Sequence, residues 1–192
     1  MNTKIAIGIP TTGLIRSQTA LCLMETMRLP YDIFPIFRHG SYISDNRNKI
    51  VDIAMENKCT HIFFVDHDMR FHASTLKLLL EQDKDVIGAK YNYRFMPLTP
   101  MVKFFDKEGK VVNEGVLLKE TFKVAGIGTG CLLIKASVFE KIGKPYFPME
   151  YDKEGNITCT EDMGFCEKVR NAGMDIWCDP AISVSHIGEY AF

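Results

Sequence analysis

Three places in the chain carry side chains able to act on a bound molecule. The first is Asp66-His67-Asp68, which directly follows His61-Ile62-Phe63-Phe64-Val65. The run of apolar residues from Ile62 to Val65, rich in β-branched and aromatic types, predicts a buried strand. Acids at the end of such a strand stand at the carboxyl edge of a sheet, where open α/β sheets bind their ligands. Positions i and i+2 on extended backbone point the same way. Asp66 and Asp68 then share one hard cation, or one binds the cation and the other takes a hydroxyl. Mg2+ and Mn2+ favour such carboxylate oxygens, with substrate phosphates completing the shell. The plain alternative is a strand that runs into a polar, solvated turn.

The second place is Thr160-Glu161-Asp162. Thr160 is the expected N-cap of a helix that stops at Gly173. Acids in a first helical turn also serve simply as dipole partners. The third place is His186, expected just after closing strands at 175–178 and 182–185. Arg47 joins this set. It falls in the first turn of a helix expected over 45–57, with Ser44 or Asp45 as N-cap. The helix dipole disfavours a cation there. Its placement points to an anionic partner, either a diphosphate or one of the acids after the third strand. An ordinary surface arginine is the alternative.

Positioning these side chains falls to alternating strands and helices. A first strand covers Lys4–Ile9, and a helix runs from about Leu14 to Leu29. Pro10, Thr11 and Thr12 lie in the turn between them, where α/β folds commonly hold a nucleotide; a plain βα turn fits equally well. A second strand covers 31–37, and Pro35 points to an edge or an irregular position. A helix over 73–82 and a strand over 85–89 follow. From 91 to 122 the prolines and alternating residues indicate hairpins, so this half is antiparallel or mixed. The glycines around Gly128-Thr129-Gly130 precede a strand rather than a helix, which excludes a dinucleotide fingerprint. They either let backbone approach a ligand closely or form a tight bend. A short helix covers 137–142. The irregular stretch 144–159 reads as a functional loop, such as a lid, with plain disorder as the alternative. Its Tyr146, Phe147 and Tyr151 either stack on a ligand or join the core.

The 192 residues fit one domain with a sizeable core. A hydrophobic share of 46% and a charged share of 24% are those of a globular protein. The net charge of -1 gives no broad case for nucleic acid or an anionic membrane. No apolar run reaches the ~18 residues that span a bilayer, and the start of the chain lacks a signal-peptide pattern. Six cysteines without a Cys-x-x-Cys pair read as reduced thiols in a cytoplasmic protein.

In this order the motifs resemble those of the GT-A glycosyltransferases, which use nucleotide-diphosphate sugars and include the family 2-like enzymes. Asp66-His67-Asp68 looks like the Asp-x-Asp motif, Thr160-Glu161-Asp162 like the acceptor-side Glu-Asp motif, and His186 like the third metal ligand. The segment from Gly126 to Ile134 is similar to the one beside the donor sugar. The likeness covers nearly the whole chain. It implies an α/β fold, a three-layer α/β/α sandwich with a mixed central sheet, as one domain over 1–192. Residues 1–90 would form the nucleotide-sugar half and 91–192 the acceptor half. It implies that Asp68 and His186 bind Mn2+ (or Mg2+), and that Asp66 reaches the metal through water or binds the donor's ribose. Pro10, Thr11, Thr12, Arg47, His67, Gly128, Thr129 and Gly130 would contact the nucleotide-sugar, with a UDP-sugar favoured. Asp162 would be the general base of an inverting transfer, and Glu161 would bind sugar or acceptor hydroxyls. Retaining members show a similar motif order, so both stereochemical outcomes fit. The Gln-x-x-Arg-Trp motif of processive members is absent, as is the Asp-Asp pair after the second strand of many inverting members. The acceptor and the oligomeric state are open.

Two other classes fit parts of the pattern. Haloacid-dehalogenase-like phosphatases also carry Asp-x-Asp after an apolar strand, but on their first strand, and with Thr or Val where this chain has Arg70. A non-catalytic nucleotide-sugar-binding module would show a broken acid set, which this chain does not.

Overall fold

The computed structural model of the chain describes residues 3–188. β1 (Lys4–Thr11) leads through α1 (Ser17–Thr26) to β2 (Asp32–His39), and α2 (Ile43–Glu56) leads to β3 (His61–Val65). A short β4 (Met69–Phe71) and α3 (Ser74–Glu81) precede β5 (Val86–Ala89). β6 (Val102–Phe105), β7 (Val111–Val112), β8 (Phe122–Val124), β9 (Gly126–Ile127) and β10 (Cys131–Lys135) follow without helices between them. Then come α4 (Ala136–Ile142), β11 (Glu150–Tyr151), β12 (Ile157–Cys159), α5 (Glu161–Asn171), β13 (Ile176–Asp179) and β14 (Val184–His186).

Seven strands form one mixed sheet in the order β2-β1-β3-β10-β5-β13-β8. β1 runs parallel to β2 and β3, and β13 runs parallel to β5. β10 is antiparallel to both β3 and β5, and β8 is antiparallel to β13. The sheet thus interleaves strands from both halves of the chain. β2 is an edge strand, and this is why Pro35 is tolerated in it: a missing N–H there breaks no second ladder.

Successive side chains of β3 alternate between two cores, as a period of two requires. Ile62 and Phe64 join Ile50 and Val51 of α2, Phe139 of α4 and Phe165 of α5. Phe63 and Val65 join Leu23 of α1 and Leu76 and Leu79 of α3. The central strands are buried on both faces, so β1 and β3 read as continuous apolar runs.

Several boundaries differ from those the sequence predicts. α1 begins at Ser17, not Leu14, because the preceding turn has partners of its own. Thr11 Oγ1 donates to the Leu14 carbonyl at 2.6 Å, and Arg16 N donates to the His67 carbonyl at 2.9 Å. α2 begins at Ile43 with Tyr42 as its N-cap, so neither Ser44 nor Asp45 caps it. The Ser44 hydroxyl instead donates to the Phe147 carbonyl. Arg47 therefore stands in the second turn of α2, not the first. The 144–159 stretch contains the β11–β12 hairpin, with Phe147 in the core and Tyr151 exposed. His186 lies within the final strand rather than after it. Among the described residues, no helix is long and apolar enough to cross a membrane.

Candidate functional site

β3 ends at Val65, and Asp66 to Asp68 form the turn that leads into β4. Met69 N donates to the Asp66 carbonyl at 3.3 Å. β4 then pairs antiparallel with β14, which sets His186 opposite Met69. Ile187 N donates to the Asp68 carbonyl at 2.8 Å, fixing the two segments side by side. As a result His186 Nε2 lies 3.4 Å from Asp68 Oδ1. The other ring nitrogen, Nδ1, is 3.3 Å from the carbonyl of Asn92. A carbonyl only accepts, so Nδ1 carries the proton. When the ring is also protonated at Nε2, it donates to the carboxylate, and this is how His186 favours the ionised Asp68.

Asp66 faces elsewhere. Arg47 Nη2 donates to Asp66 Oδ1 at 2.9 Å, and Arg47 Nε to Glu161 Oε1 at 3.5 Å. Only 2% of Arg47 is exposed, and its guanidinium lies over the Phe64 ring. Burial opposes its charge, but Asp66, Glu161 and Asp162 outweigh burial and push its pKa up. The anionic partner expected for Arg47 is therefore one of the acids after β3. Asp68 and His186 thus come together, while Asp66 is paired with Arg47. Among the described residues, no group of three or more His, Cys, Asp or Glu side chains is placed to hold a metal ion.

Glu161 and Asp162 open α5, with Thr160 as N-cap. The Thr160 hydroxyl and Met163 N both donate to Asp162 Oδ1. Burial raises the Glu161 carboxyl; Arg47 opposes this, and the nearby Asp162 charge adds to it. The Asp68 carboxyl is pulled up by burial, but His186, Arg94 and His67 outweigh that and hold it below its ordinary value.

Asp66, Asp68, His186, Glu161, Asp162 and Arg47 all line one cavity of about 200 Å³, which His67 and Thr129 also border. Thr129 is buried, and its hydroxyl has no hydrogen-bond partner; the same holds for Arg47 Nη1. A trough of about 400 Å³ adjoins this cavity, shares Met101, Glu161 and Asp162 with it, and is walled by Tyr93 and Lys103. Pro10 and Thr11 end β1 and Thr12 follows it at the same sheet edge, but none of them lines the cavity. The Thr11 hydroxyl instead builds its own turn, accepting from Gly13 N at 3.0 Å.

Gly128 and Gly130 make way for a protein side chain. A Cβ at Gly128 would collide with the Tyr91 hydroxyl, and one at Gly130 would stand 2.8 Å from it and 3.0 Å from Asp66 Oδ2. Gly130 N donates to the Tyr91 hydroxyl at 2.9 Å. Burial, with help from Asp66, raises the Tyr91 pKa well above its ordinary value.

Tyr91 and Arg94 are the site residues that sequence reading missed. Arg94 Nη1 donates to Asp68 Oδ2 at 2.7 Å. The only local signal was a basic residue inside the aromatic stretch Tyr91-Asn92-Tyr93-Arg94-Phe95.

The residues present fit a divalent cation in two positions. Adjacent ligands on an octahedral ion with ~2.1 Å bonds stand about 3 Å apart, close to the 3.4 Å between Asp68 Oδ1 and His186 Nε2.

No protein-family model and no curated protein matches the chain. Solved structures do. A197 from STIV aligns with a TM-score of 0.65 at 18% identity, covering 97% of this chain and 87% of that one. GalNAc-T7, crystallised with UDP, GalNAc and Mn2+, aligns with a TM-score of 0.57 at 12% identity, covering 98% of this chain. This chain spans 44% of the GalNAc-T7 chain. Identities this low speak for the fold alone: the chain is a mixed α/β protein with a large mixed central sheet, and its structural neighbours are of GT-A type.

Proposed function

We propose that the chain is a metal-dependent glycosyltransferase, moving a sugar from a nucleotide-diphosphate sugar to an acceptor hydroxyl. One observation carries this reading: motifs far apart in sequence, Asp66–Asp68, Glu161–Asp162 and His186, line a single cavity at the carboxyl edge of the sheet. The structural likeness to a protein crystallised with UDP, GalNAc and Mn2+ supports it and favours a UDP-sugar. The two cores on opposite faces of the sheet support the three-layer arrangement within one domain. Free cysteines throughout support a reducing, cytoplasmic setting.

Asp68 and His186 would hold Mn2+, whose chemistry here is to neutralise charge on the leaving diphosphate. Arg47 is already matched by Asp66 and Glu161, so its role is to fix those two carboxylates toward the donor's hydroxyls. Thr129 and Arg47 Nη1 offer polar groups that still lack a partner inside the cavity. Asp162 Oδ1 is taken by Thr160 and Met163, which leaves Oδ2 to accept the acceptor's proton in an inverting transfer. The adjoining trough, with Tyr93 as a wall, is the acceptor's place.

The test is a panel of nucleotide-diphosphate sugars with Mn2+, read as released nucleotide diphosphate, with Asp68→Ala as control. Slow hydrolysis of one donor, lost with chelator and in the variant, supports the reading. No turnover across the panel and no Mn2+-dependent nucleotide binding would overturn it; phosphate release from a generic phosphoester would then favour the phosphatase. Donor binding with no turnover would favour a binding module. A product with retained anomeric configuration would remove Asp162 as base.

A further inference from the structure

We propose that Arg94 binds the donor's diphosphate, and that it guards Asp68 until a cation arrives. This rests on the glycosyltransferase reading above. Both oxygens of Asp68 face a partner: Oδ2 takes Arg94 Nη1 at 2.7 Å, and Oδ1 faces His186 Nε2 at 3.4 Å. The guanidinium thus neutralises the carboxylate from Oδ2, the oxygen next to the one that a divalent ion between Asp68 and His186 would use.

The two arginines of the cavity differ in what they can still do. Arg47 is buried and spends Nη2 and Nε on Asp66 and Glu161. Its charge is therefore already balanced by two carboxylates, with Nη1 alone left without a partner. Arg94 has 51% of its side chain exposed, against 4% for Asp68. It lies on the loop between β5 and β6, and it borders both the acid cavity and a second cavity of about 240 Å³. Space to move is therefore next to it.

The loop is built to let it move. Its base is tied, by Tyr93 N to the Thr99 carbonyl at 2.9 Å and by the bridge between Asn92 and Pro100. At the tip Phe95 stacks on Tyr93 but stays more than half exposed, and Met96 and Leu98 are exposed, so little packing beyond that one stack resists a shift of the 94–98 segment. A divalent ion on Asp68 and His186 repels the guanidinium and removes its anionic partner. A diphosphate bound to that ion supplies a replacement. The planar fork of arginine matches phosphate oxygens in pairs. Arg94 then trades one carboxylate for the leaving group.

The exchange makes two predictions of opposite sign. Mn2+ binding without nucleotide is followed by the electron paramagnetic resonance signal of the free ion. UDP binding at saturating Mn2+ is followed by calorimetry. Arg94→Ala is expected to tighten Mn2+ alone by about two- to five-fold, the worth of a half-exposed ion pair. The same variant is expected to weaken UDP by roughly ten-fold. Arg94→Lys keeps the competing charge but not the fork, so Mn2+ affinity stays near wild type and UDP recovers only in part. It carries the test if the alanine variant does not fold. An arginine with a purely structural role would weaken both ligands or change neither, and either result overturns the proposal. A wild-type protein that binds neither Mn2+ nor UDP would overturn the glycosyltransferase reading as well. Wild-type binding of both, with variants unchanged, would remove Arg94 alone.

Discussion

Burial alone would lift the Asp68 carboxyl, yet His186, Arg94 and His67 hold it below its ordinary value. A carboxyl depressed by folding stabilises the fold above its unfolded pKa, and that contribution is lost as pH falls through the folded value. Glu161 has the opposite sign. Burial raises it, so its contribution is present below the unfolded pKa and is lost as pH rises through the folded one. Urea midpoints from about pH 3 to pH 7 are expected to show a shallower acid-side loss in Asp68→Asn, and a relative gain toward neutral pH in Glu161→Gln. Parallel curves for wild type and both variants would mean that neither group is linked to folding as the contacts require. Arg47 makes a sharper case. Its removal leaves Asp66 and Glu161 facing each other without a cation, although both keep some contact with water. Arg47→Ala is expected to cost about 3 kcal/mol, at the low end for a broken buried pair. A denaturant midpoint within error of wild type would show that water already screens those acids.

Strands were legible in the sequence because β1, β3 and β10 are buried on both faces and so read as plain apolar runs. The start of α5 at Thr160 was legible too, but that of α2 was not, since a side chain expected to cap it is used at a distance. Ser44 sits where an N-cap is expected, but its hydroxyl reaches the Phe147 carbonyl, 103 positions along the chain. Gly164 is a further case, because a glycine inside α5 looks like a defect by helix propensity. The structure gives the reason: a Cβ there would run into the carbonyl oxygen of Pro148, with the proline ring 3.0 Å away. The helix and the 144–159 segment close on each other at that point. Gly164→Ala is therefore expected to destabilise by about 1–3 kcal/mol through overpacking, against the ~1 kcal/mol that alanine gains in an open helix. Thermal melts decide the sign, and a higher midpoint would mean that the segment yields.

At the scale of the molecule, the candidate site depends on pairings that no local pattern encodes. Residue types at the sheet edge were legible because an apolar strand sets the acids that follow it at its carboxyl end. Which of them meet was not, because Arg47 reaches across 19 positions to Asp66 and 114 to Glu161. The β4–β14 pairing brings Asp68 to His186, yet β4 is too short to show a period. Because these elements come from distant parts of the chain, a ligand that bridges them must report on the whole fold. A ligand that binds only the folded state at about a hundred times its Kd adds about 2.7 kcal/mol. For a chain of 192 residues that raises the melting midpoint by about 5–10 °C. Mn2+ with UDP is expected to give a shift of this order, chelator to abolish it, and UDP alone to give little. Asp68→Ala and His186→Ala should each remove the Mn2+-dependent part, since they are the two side chains that meet across the β4–β14 pairing. An equal shift in both variants would place the cation elsewhere. Loss in Asp66→Asn alone would return Asp66 to the metal and leave Arg47 as the group that moves.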